Sequence, residues 1–327
     1  NDFIQGIVML FGICAVIYSV LNGQGGFYSS LSKLAAQVPV EGDVIKVAGD
    51  GIFASFFGPD PLNLLGVIIL TSLGTWGLPQ MVGKFYAIKS EKSIKTGMIV
   101  STAFAVVVSG GCYFLGGFGR LFSDKIDIAT GGYDSIIPTM LSTLPDILIG
   151  IVIVLVLSAS MSTLSSLVLT SSSTITIDFL GTTVLKKTAE KKQVLLMKIF
   201  VVVFVAISVI IALNKDSIPN IAQLMGYSWG ALAGAFLAPF MYGLYWKKVT
   251  KASVWASFIF SIIVTVTNMI WGYIQSPINA GAFTMLVSLI IVPVISLITP
   301  KMKKEETDKL FECFEEKVEV PVKDALD

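Results

Sequence analysis

Long stretches without a charged residue limit what this chain can fold into. The clearest stretch runs from Ile147 to Ile177 and contains no Lys, Arg, Asp or Glu. About 20 apolar residues in an α-helix cross the hydrocarbon core of a bilayer. Further runs of this kind occur along the chain, and only 14% of the residues are charged, against about 25% in soluble proteins. The sequence therefore predicts an all-α integral membrane protein.

The apolar runs predict about eight transmembrane helices and one soluble tail. The predicted spans are residues 3–21, 64–82, 97–118, 147–177, 199–213, 218–245, 254–274 and 283–298. A short amphipathic helix at the membrane surface is expected over residues 27–37. We expect residues 1–299 to form a transmembrane core and residues 300–327 to form a charged, partly helical tail.

Positive charges indicate how the helices are oriented. All but five of the 23 lysines and arginines fall in the tail or in loops that the alternation of spans places on one side. The five exceptions are Lys33, Lys46, Arg120, Lys125 and Lys215. Since cytoplasmic loops carry an excess of Lys and Arg, we expect a multi-pass protein of the cell membrane with a cytoplasmic C-terminus. The lysine-rich loops are interpreted as topology signals, and no nucleic-acid partner is expected.

The 147–177 segment is unusually rich in hydroxyl groups. On a helix, Ser158, Ser162, Ser165 and Ser166 fall close to the Ala159 carbonyl, because residues three and four apart share a face. Neutral oxygens suffice for a cation of single charge, whereas magnesium and calcium favour carboxylates. Small and hydroxylated residues also let membrane helices pack closely. The residues alone leave both a cation site and a packing surface open.

Titratable groups are scarce inside the predicted spans. The chain has no histidine, and apart from Asp2 no span carries an ionisable side chain near its centre. Proton binding within a membrane needs titratable groups, so at a cation site in these spans the pattern favours sodium over protons. Asp2 itself is either a helix cap or a functional carboxylate within the membrane.

The sequence offers little for catalysis. There is no membrane-embedded acid pair and no nucleophile with a neighbouring base. The three cysteines have no spacing typical of a metal site. We expect no enzyme, no catalytic residue and no organic cofactor.

A Gly-Pro segment interrupts the second predicted span. Gly74, Gly77 and Pro79 weaken a helix, because glycine is flexible and proline lacks a backbone donor. The outcome is either a simple kink or a discontinuous helix whose free backbone groups face a substrate. At the start of the sixth span, Gln223, Tyr227 and Trp229 either line a cavity or form an interfacial belt.

Small residues follow in the same span, and they favour tight contact between helices. They are Gly230, Ala231, Ala233, Gly234 and Ala235.

The serine motif resembles a known family. Ala159-x-x-Ser162-Thr163-x-Ser165-Ser166, in a span that ends Ile-Thr-x-Asp, resembles the sodium:solute symporters, which include carriers of proline, pantothenate, sialic acid and glucose. Weaker matches follow in the family's order. They are Asp2-Phe-Ile-Gln-Gly, Gly77-x-Pro79-Gln80, Tyr227-Ser-Trp229-Gly and Leu244-Tyr-Trp246-Lys. The resemblance covers nearly all of residues 2–298.

This resemblance implies a leucine-transporter (LeuT, APC-like) type of fold, with two inverted five-helix repeats and alternating access. Under it, the chain is interpreted as a partial copy that begins at the fifth core helix, and the N-terminal half of the same protein is expected as a missing partner. Carried over residue by residue, the common sodium site uses the Ala159 carbonyl and the Ser162 and Thr163 hydroxyls. A second sodium would use Asp2, Ser165 and Ser166 together with Ser162.

The resemblance also implies a function. We expect sodium-coupled symport of a small polar organic solute, with Na⁺ as the coupling ion. Thr71, Thr75, Trp76 and Gln223 are the candidates for contact with the solute. Aligned on Pro79, the family's proline carriers have Trp and Tyr where this chain has Thr71 and Thr75, which argues against proline. The alternative is a transporter-like membrane sensor that signals ligand binding through an attached domain.

Overall fold

A computed structural model of the chain is predominantly helical. It describes residues 2–39, 45–47, 49–83, 88, 90–125, 132–183, 190–214 and 221–314, and none of these residues lies in a β-strand. The helices are α1 (Asp2–Gly23), α2 (Phe27–Ala35), α3 (Pro61–Gly77), α4 (Pro79–Val82), α5 (Glu91–Gly117), α6 (Ile136–Leu141), α7 (Asp146–Ser173), α8 (Glu190–Leu213), α9 (Ile221–Tyr245), α10 (Lys251–Trp271), α11 (Pro277–Ile298) and α12 (Lys304–Phe311). Short 3-10 turns occur at Ile52–Ala54, Gly119–Lys125, Tyr133–Ser135 and Glu312–Phe314, and α7 continues into a π-helical segment, Thr174–Leu180, and an α-helical turn, Gly181–Thr183.

The helices confirm an all-α membrane protein. Seven of those in the described residues are long and apolar enough to cross a membrane, namely α1, α5, α7, α8, α9, α10 and α11. The remaining predicted span coincides with α3, whose 17 residues are at the lower limit for crossing a bilayer. The expected surface helix is α2, and the helical part of the tail is α12. Residues 315–327 lie outside the described part of the chain.

Local sequence signals set several helix ends. Ser90, Thr250 and Ser276 precede α5, α10 and α11, and each side-chain oxygen accepts a hydrogen bond from the backbone N–H three residues later. Such caps satisfy N–H groups that the first turn of a helix leaves without a partner. Gly272 ends α10 with φ 62°, a conformation that glycine adopts without a Cβ clash.

The chain divides into two compact units. One comprises residues 1–64 and 83–223, and the other comprises residues 65–82 and 224–327. In the first unit α1 contacts α2, α5 and α7, and α8 contacts α7. Its core contains Val16, Val20, Leu34, Leu115, Phe118, Phe122, Met140 and Leu144. The apolar side chains of α7 and α8 are otherwise largely exposed, and helices that are apolar all round are typical of membrane spans.

Glycines bring helices of the second unit into close contact. A Cβ atom at Gly230 of α9 would lie 2.7 Å from the Cα atom of Gly281 in α11, and one at Gly77 of α3 would lie 2.8 Å from the Cα atom of Ala233. Small residues allow this backbone approach in membrane helices. The tight helix contact that the sequence predicts around Gly230–Ala235 is therefore confirmed.

The buried face of α10 is polar. It carries Ser253, Ser257, Ser261, Thr265 and Asn268. The Ser257 hydroxyl donates to the carbonyls of Gly234 (3.3 Å) and Ala235 (3.2 Å) in α9. The Ser296 hydroxyl of α11 donates to Ser253 Oγ at 2.8 Å. Hydrogen bonds between side chains and neighbouring helices thus accompany the glycine contacts.

Candidate functional site

The candidate cation ligands lie on α7. The helix crosses from Asp146 without another charged residue until Asp178, in the π-helical segment. Ala159 is half-buried, whereas Ser162 and Thr163 are exposed. The side chains of Ser162 and Thr163 are thus not covered by other described residues, and they lie in a part of the helix with no charge to compete for a cation.

The hydroxyls of α7 fall into two groups. Within the residues that the structure describes, six hydroxyls make no hydrogen bond, those of Ser158, Ser160, Ser162, Thr163, Ser166 and Ser171. Four other hydroxyls donate to carbonyls of the same helix. These hydrogen bonds run from Ser165 to Met161 (2.7 Å), from Thr170 to Ser166 (2.8 Å), from Ser172 to Val168 (2.6 Å) and from Ser173 to Thr170 (2.9 Å). Such bonding back to the helix is common for Ser and Thr. The first group keeps its lone pairs available for another ligand.

Helix α1 runs antiparallel to α7. A Cβ atom at Gly12 would lie 3.2 Å from Leu155 Cδ1. Val20, near the end of α1, lies in the same core cluster as Leu144, which precedes α7. An open groove of about 670 Å³ extends from this contact towards the start of α1. Its lining residues are Ile4, Gln5, Val8, Ile147, Gly150, Ile151, Val154, Leu155 and Ser158.

The described contacts do not place the start of α1 beside the motif serines of α7. The groove groups Ile4, Gln5 and Val8 of α1 with residues of α7 only as far as Ser158, one turn before Ser162. The side chain of Asp2 lies outside what the structure describes.

The candidate substrate residues of α3 surround a real break in the helix. Helix α3 ends at Gly77, Leu78 is not helical, and α4 begins at Pro79. Leu78 is only 1% exposed, so it fixes the break within the core of the second unit. The structure thus confirms the interruption at the Gly-Pro segment, and free backbone groups that face a substrate stay a prediction.

The three candidates themselves differ in surroundings. The Thr71 hydroxyl donates to the Val67 carbonyl at 2.7 Å, and the Thr75 hydroxyl donates to the Ser72 carbonyl at 3.3 Å. Trp76 is 60% exposed. In the first unit, Gln223 is half-buried in the first turn of α9. Thr71 and Thr75 therefore already use their protons within α3, and a ligand would meet their lone pairs.

Metals that need anionic or imidazole ligands find no cluster in the described residues. No group of three or more His, Cys, Asp or Glu residues comes together there. Carboxylates and imidazoles are the usual ligands of divalent and transition metals. The oxygens that α7 does offer suit a monovalent cation better.

The buried stripe on α10 is a feature that sequence reasoning missed. Ser253, Ser257, Ser261 and Thr265 follow one another at intervals of four residues, which places them on one helix face. That spacing is visible in the sequence. What covers the face is not visible there, because it depends on α9 and α11.

The architecture defines a class, a multi-pass helical membrane protein with seven candidate spans in its described residues. The model of the Sodium:solute symporter family matches residues 1–260. The chain therefore belongs to the sodium:solute symporter family, as the serine motif predicts.

Individual relatives agree with this membership. The osmoregulated proline transporter OpuE of Bacillus subtilis is 24% identical over 96% of this chain and 61% of its own length. The sodium/pantothenate symporter of Haemophilus influenzae is 28% identical, over 80% of this chain and 52% of the relative. The sodium/proline symporter of Staphylococcus aureus is 26% identical, over 93% and 58%. The chain thus spans between 52% and 61% of the length of these relatives.

Proposed function

We propose that this chain forms part of a carrier that couples the inward movement of sodium to the uptake of a small polar organic solute. Family membership supports the class of activity. The two relatives named as symporters carry sodium in their names, with pantothenate in one and proline in the other. Transport of an ion and a solute accounts for the oxygen groups of α7 without a catalytic step.

One observation carries this proposal, the set of hydroxyls on α7 that have no hydrogen-bond partner. A polar group without a partner in a spanning helix is costly, because lipid offers no hydrogen bonds. Sodium removes that cost if it is bound by these oxygens. We assign the first sodium to the Ala159 carbonyl and the hydroxyls of Ser162 and Thr163.

A second sodium is proposed next to the first. Its ligands are Asp2, Ser165 and Ser166, with Ser162 between the two ions. The groove between α1 and α7 supports this assignment, because residues near the start of α1 and Ser158 of α7 line it together. Ser165 contributes a lone pair, since its proton is donated to Met161.

Sodium bound in this way provides a coupling mechanism. An ion shared between two helices favours the state in which both sets of ligands are close, and a ligand shifts a conformational equilibrium by its difference in affinity for the two states. Carriers with inverted repeats place ions and solute near the bilayer midplane at broken helices. We assign the solute to Thr71, Thr75 and Trp76 beside the break at Leu78, and to Gln223.

The proposal is tested by transport. The complete gene product that contains this chain is purified and reconstituted in liposomes, and uptake of a panel of small polar solutes, including proline and pantothenate, is measured with and without an inward sodium gradient. We expect one solute to accumulate only with sodium outside. Uptake that continues at the same rate when choline replaces sodium would show that the proposal is wrong.

The proposed orientation places the carrier in the cell membrane with a cytoplasmic C-terminus. The excess of Lys and Arg on one side of the predicted spans supports it, by the positive-inside rule. An epitope added after Asp327 should be cleaved by protease only in inverted vesicles. Cleavage in intact spheroplasts would reverse the orientation.

A further inference from the structure

Two buried hydroxyls on α10 have no hydrogen-bond partner in the residues that the structure describes. They belong to Ser261, which is fully buried, and Thr265, which is 7% exposed. Their neighbour Ser257 does have partners, the carbonyls of α9. Buried polar groups are nearly always hydrogen-bonded to protein or to ordered water, so these two hydroxyls point to a ligand.

The two hydroxyls face the glycines of α9 and a threonine of α11. A Cβ atom at Gly234 would lie 2.9 Å from Ser261 Oγ and 2.7 Å from Thr284 Oγ1. A Cβ atom at Gly230 would lie 3.5 Å from Thr265 Oγ1. Hydroxyls from two helices thus meet where the third helix has no side chain.

The protons of this cluster determine what can bind. Thr284 Oγ1 lies 2.7 Å from the Gly281 carbonyl and 3.0 Å from the Gly230 carbonyl, so its proton is committed and its oxygen can only accept another bond. Ser261 and Thr265 each have a proton to donate. A ligand between them must therefore accept from α10 and donate to α11, which requires a small group with both functions.

We propose that a single buried water molecule occupies this position and links α10 to α11 beside the glycine contact of α9. It accepts hydrogen bonds from Ser261 and Thr265 and donates to Thr284 Oγ1. Buried waters typically make about three hydrogen bonds to polar groups that otherwise have no partner. A cation fits less well, because it cannot satisfy the protons of Ser261 and Thr265. The site is independent of the proposed sodium ligands, all of which lie on α1 and α7.

The water has a structural consequence for this unit. The glycines of α9 bring its backbone against α11, but they provide no side chain to fix the angle between the helices. A water held by hydroxyls of α10 and α11 supplies a directional link at this point. This link adds to the direct hydrogen bonds that already join α10 to α9, α11 to α9 and α11 to α10.

The direct test is a structure of the complete gene product in lipid nanodiscs at a resolution that shows ordered water. We expect density within hydrogen-bond distance of Ser261 Oγ, Thr265 Oγ1 and Thr284 Oγ1, present equally in sodium and in N-methylglucamine buffer. Both hydroxyls bonded to carbonyls of α10 with no density between them would overturn the proposal. Density present only in sodium would also overturn it, because it would identify a cation.

Variants provide a second, independent test. Ser261→Ala and Thr265→Val should each lower the melting temperature in detergent by roughly 2 to 4 °C. The double variant should lose less than the sum, since both hydroxyls share one water. Ser208→Ala is the control, because this exposed serine donates only to the Phe204 carbonyl of its own helix. Two single variants that raise the melting temperature additively would show that the hydroxyls had no partner at all, which would refute a bound water.

Discussion

The hydroxyl groups of α7 and those of α10 have opposite surroundings, although both helices are spans rich in Ser and Thr. On α7, Ser162 and Thr163 are exposed and make no hydrogen bond within the described residues. On α10, Ser253 and Ser257 are fully buried and bonded to neighbouring helices. Composition alone does not separate the two cases. Burial and hydrogen-bond partners do: Ser253 and Ser257 of α10 lie against α11 and α9, whereas cation binding by α7 stays a prediction.

The difference follows from how the hydroxyls are spaced. The buried serines and threonine of α10 recur every fourth residue from Ser253 to Thr265, so they share one face that the glycines of α9 can approach. The hydroxyls of α7 from Ser158 to Ser173 are denser and cover several faces. A single neighbouring helix cannot cover all of them, and some keep unused oxygens.

The largest effect is expected at the glycine contact between α9 and α11. Gly230→Val would place side-chain carbons against the Gly281 backbone, because a Cβ atom at residue 230 would lie 2.7 Å from the Gly281 Cα atom. Because backbone cannot move aside as a flexible side chain does, we expect a loss of about 3 kcal/mol and a melting temperature lower by roughly 5 to 10 °C. Thermal unfolding in detergent measures this shift.

Gly243→Val is the matched control for that substitution. It lies on the same helix, and a Cβ atom there meets nothing within 4 Å. Because valine has a somewhat higher helix propensity than glycine, the control should leave stability unchanged or raise it by about 0.5 kcal/mol at most. Equal losses in the two variants would mean that the glycine contact does not hold α9 in place.

The next effect concerns the exposed hydroxyls of α7. The double variant Ser162→Ala with Thr163→Val should raise the sodium concentration for half-maximal transport at least tenfold, equivalent to about 1.4 kcal/mol of binding free energy. Its melting temperature without sodium should stay close to that of the wild type, because these side chains have no protein partner. Sodium titrations of uptake and of thermal stability check the two halves of this prediction.

Ser171→Ala serves as the control on α7. This serine is exposed and lies nine residues after Ser162. Nine residues make about two and a half helix turns, so its side chain points to the opposite side of the helix. Its sodium dependence should match that of the wild type. A similar shift in both proteins would assign the effect to general loss of polarity in α7 and not to a defined site.

A smaller effect is expected from the buried polar bonds of the second unit. Ser296→Ala removes the donor to Ser253 Oγ (2.8 Å) and the acceptor for the Thr250 backbone N–H (3.3 Å). Since one buried hydrogen bond contributes about 1 kcal/mol, we expect a melting temperature lower by roughly 2 to 4 °C and no change in sodium affinity. An unchanged melting temperature would remove the distinction between the buried and exposed sets.

The smallest effect belongs to an exposed polar contact of the same unit. Lys247 Nζ forms an ion pair with Asp308 Oδ1 at 3.1 Å, and both side chains are about half exposed. Exposed ion pairs contribute about 0.2 to 1 kcal/mol and weaken in salt. Lys247→Ala should therefore lower the melting temperature by less than about 3 °C, and only at low ionic strength. A larger loss that persists in high salt would mean that this contact behaves like the buried ones.

Much of the fold could be predicted because its signals are local. The lengths of the apolar runs predicted eight spans, and each of them coincides with a helix. Gly77 and Pro79 predicted the break at Leu78. The tight contact near Gly230 followed from a run of small residues. These features depend on a residue and its near neighbours, and so they can be recognised in the sequence itself.

The features that could not be predicted depend on distant parts of the chain. Ser165 and Ser162 look equivalent in the motif, yet only Ser165 donates to its own helix. The polar face of α10 could be recognised as buried only from the contacts that α9 and α11 make with it. The assignment of Ala159, Ser162 and Thr163 as sodium ligands stays a prediction, and so do the inverted repeats and the second sodium.

The π-helical segment Thr174–Leu180 changes how the end of α7 compares with other proteins. A π turn takes one residue more than an α turn, since its hydrogen bonds join residues five apart. Residues after this segment are therefore rotated about the helix axis relative to the serines before it. A relative whose corresponding helix is α-helical throughout would need a one-residue gap here, and Asp178 would then align with a neighbouring position instead of the residue that an ungapped count assigns to it.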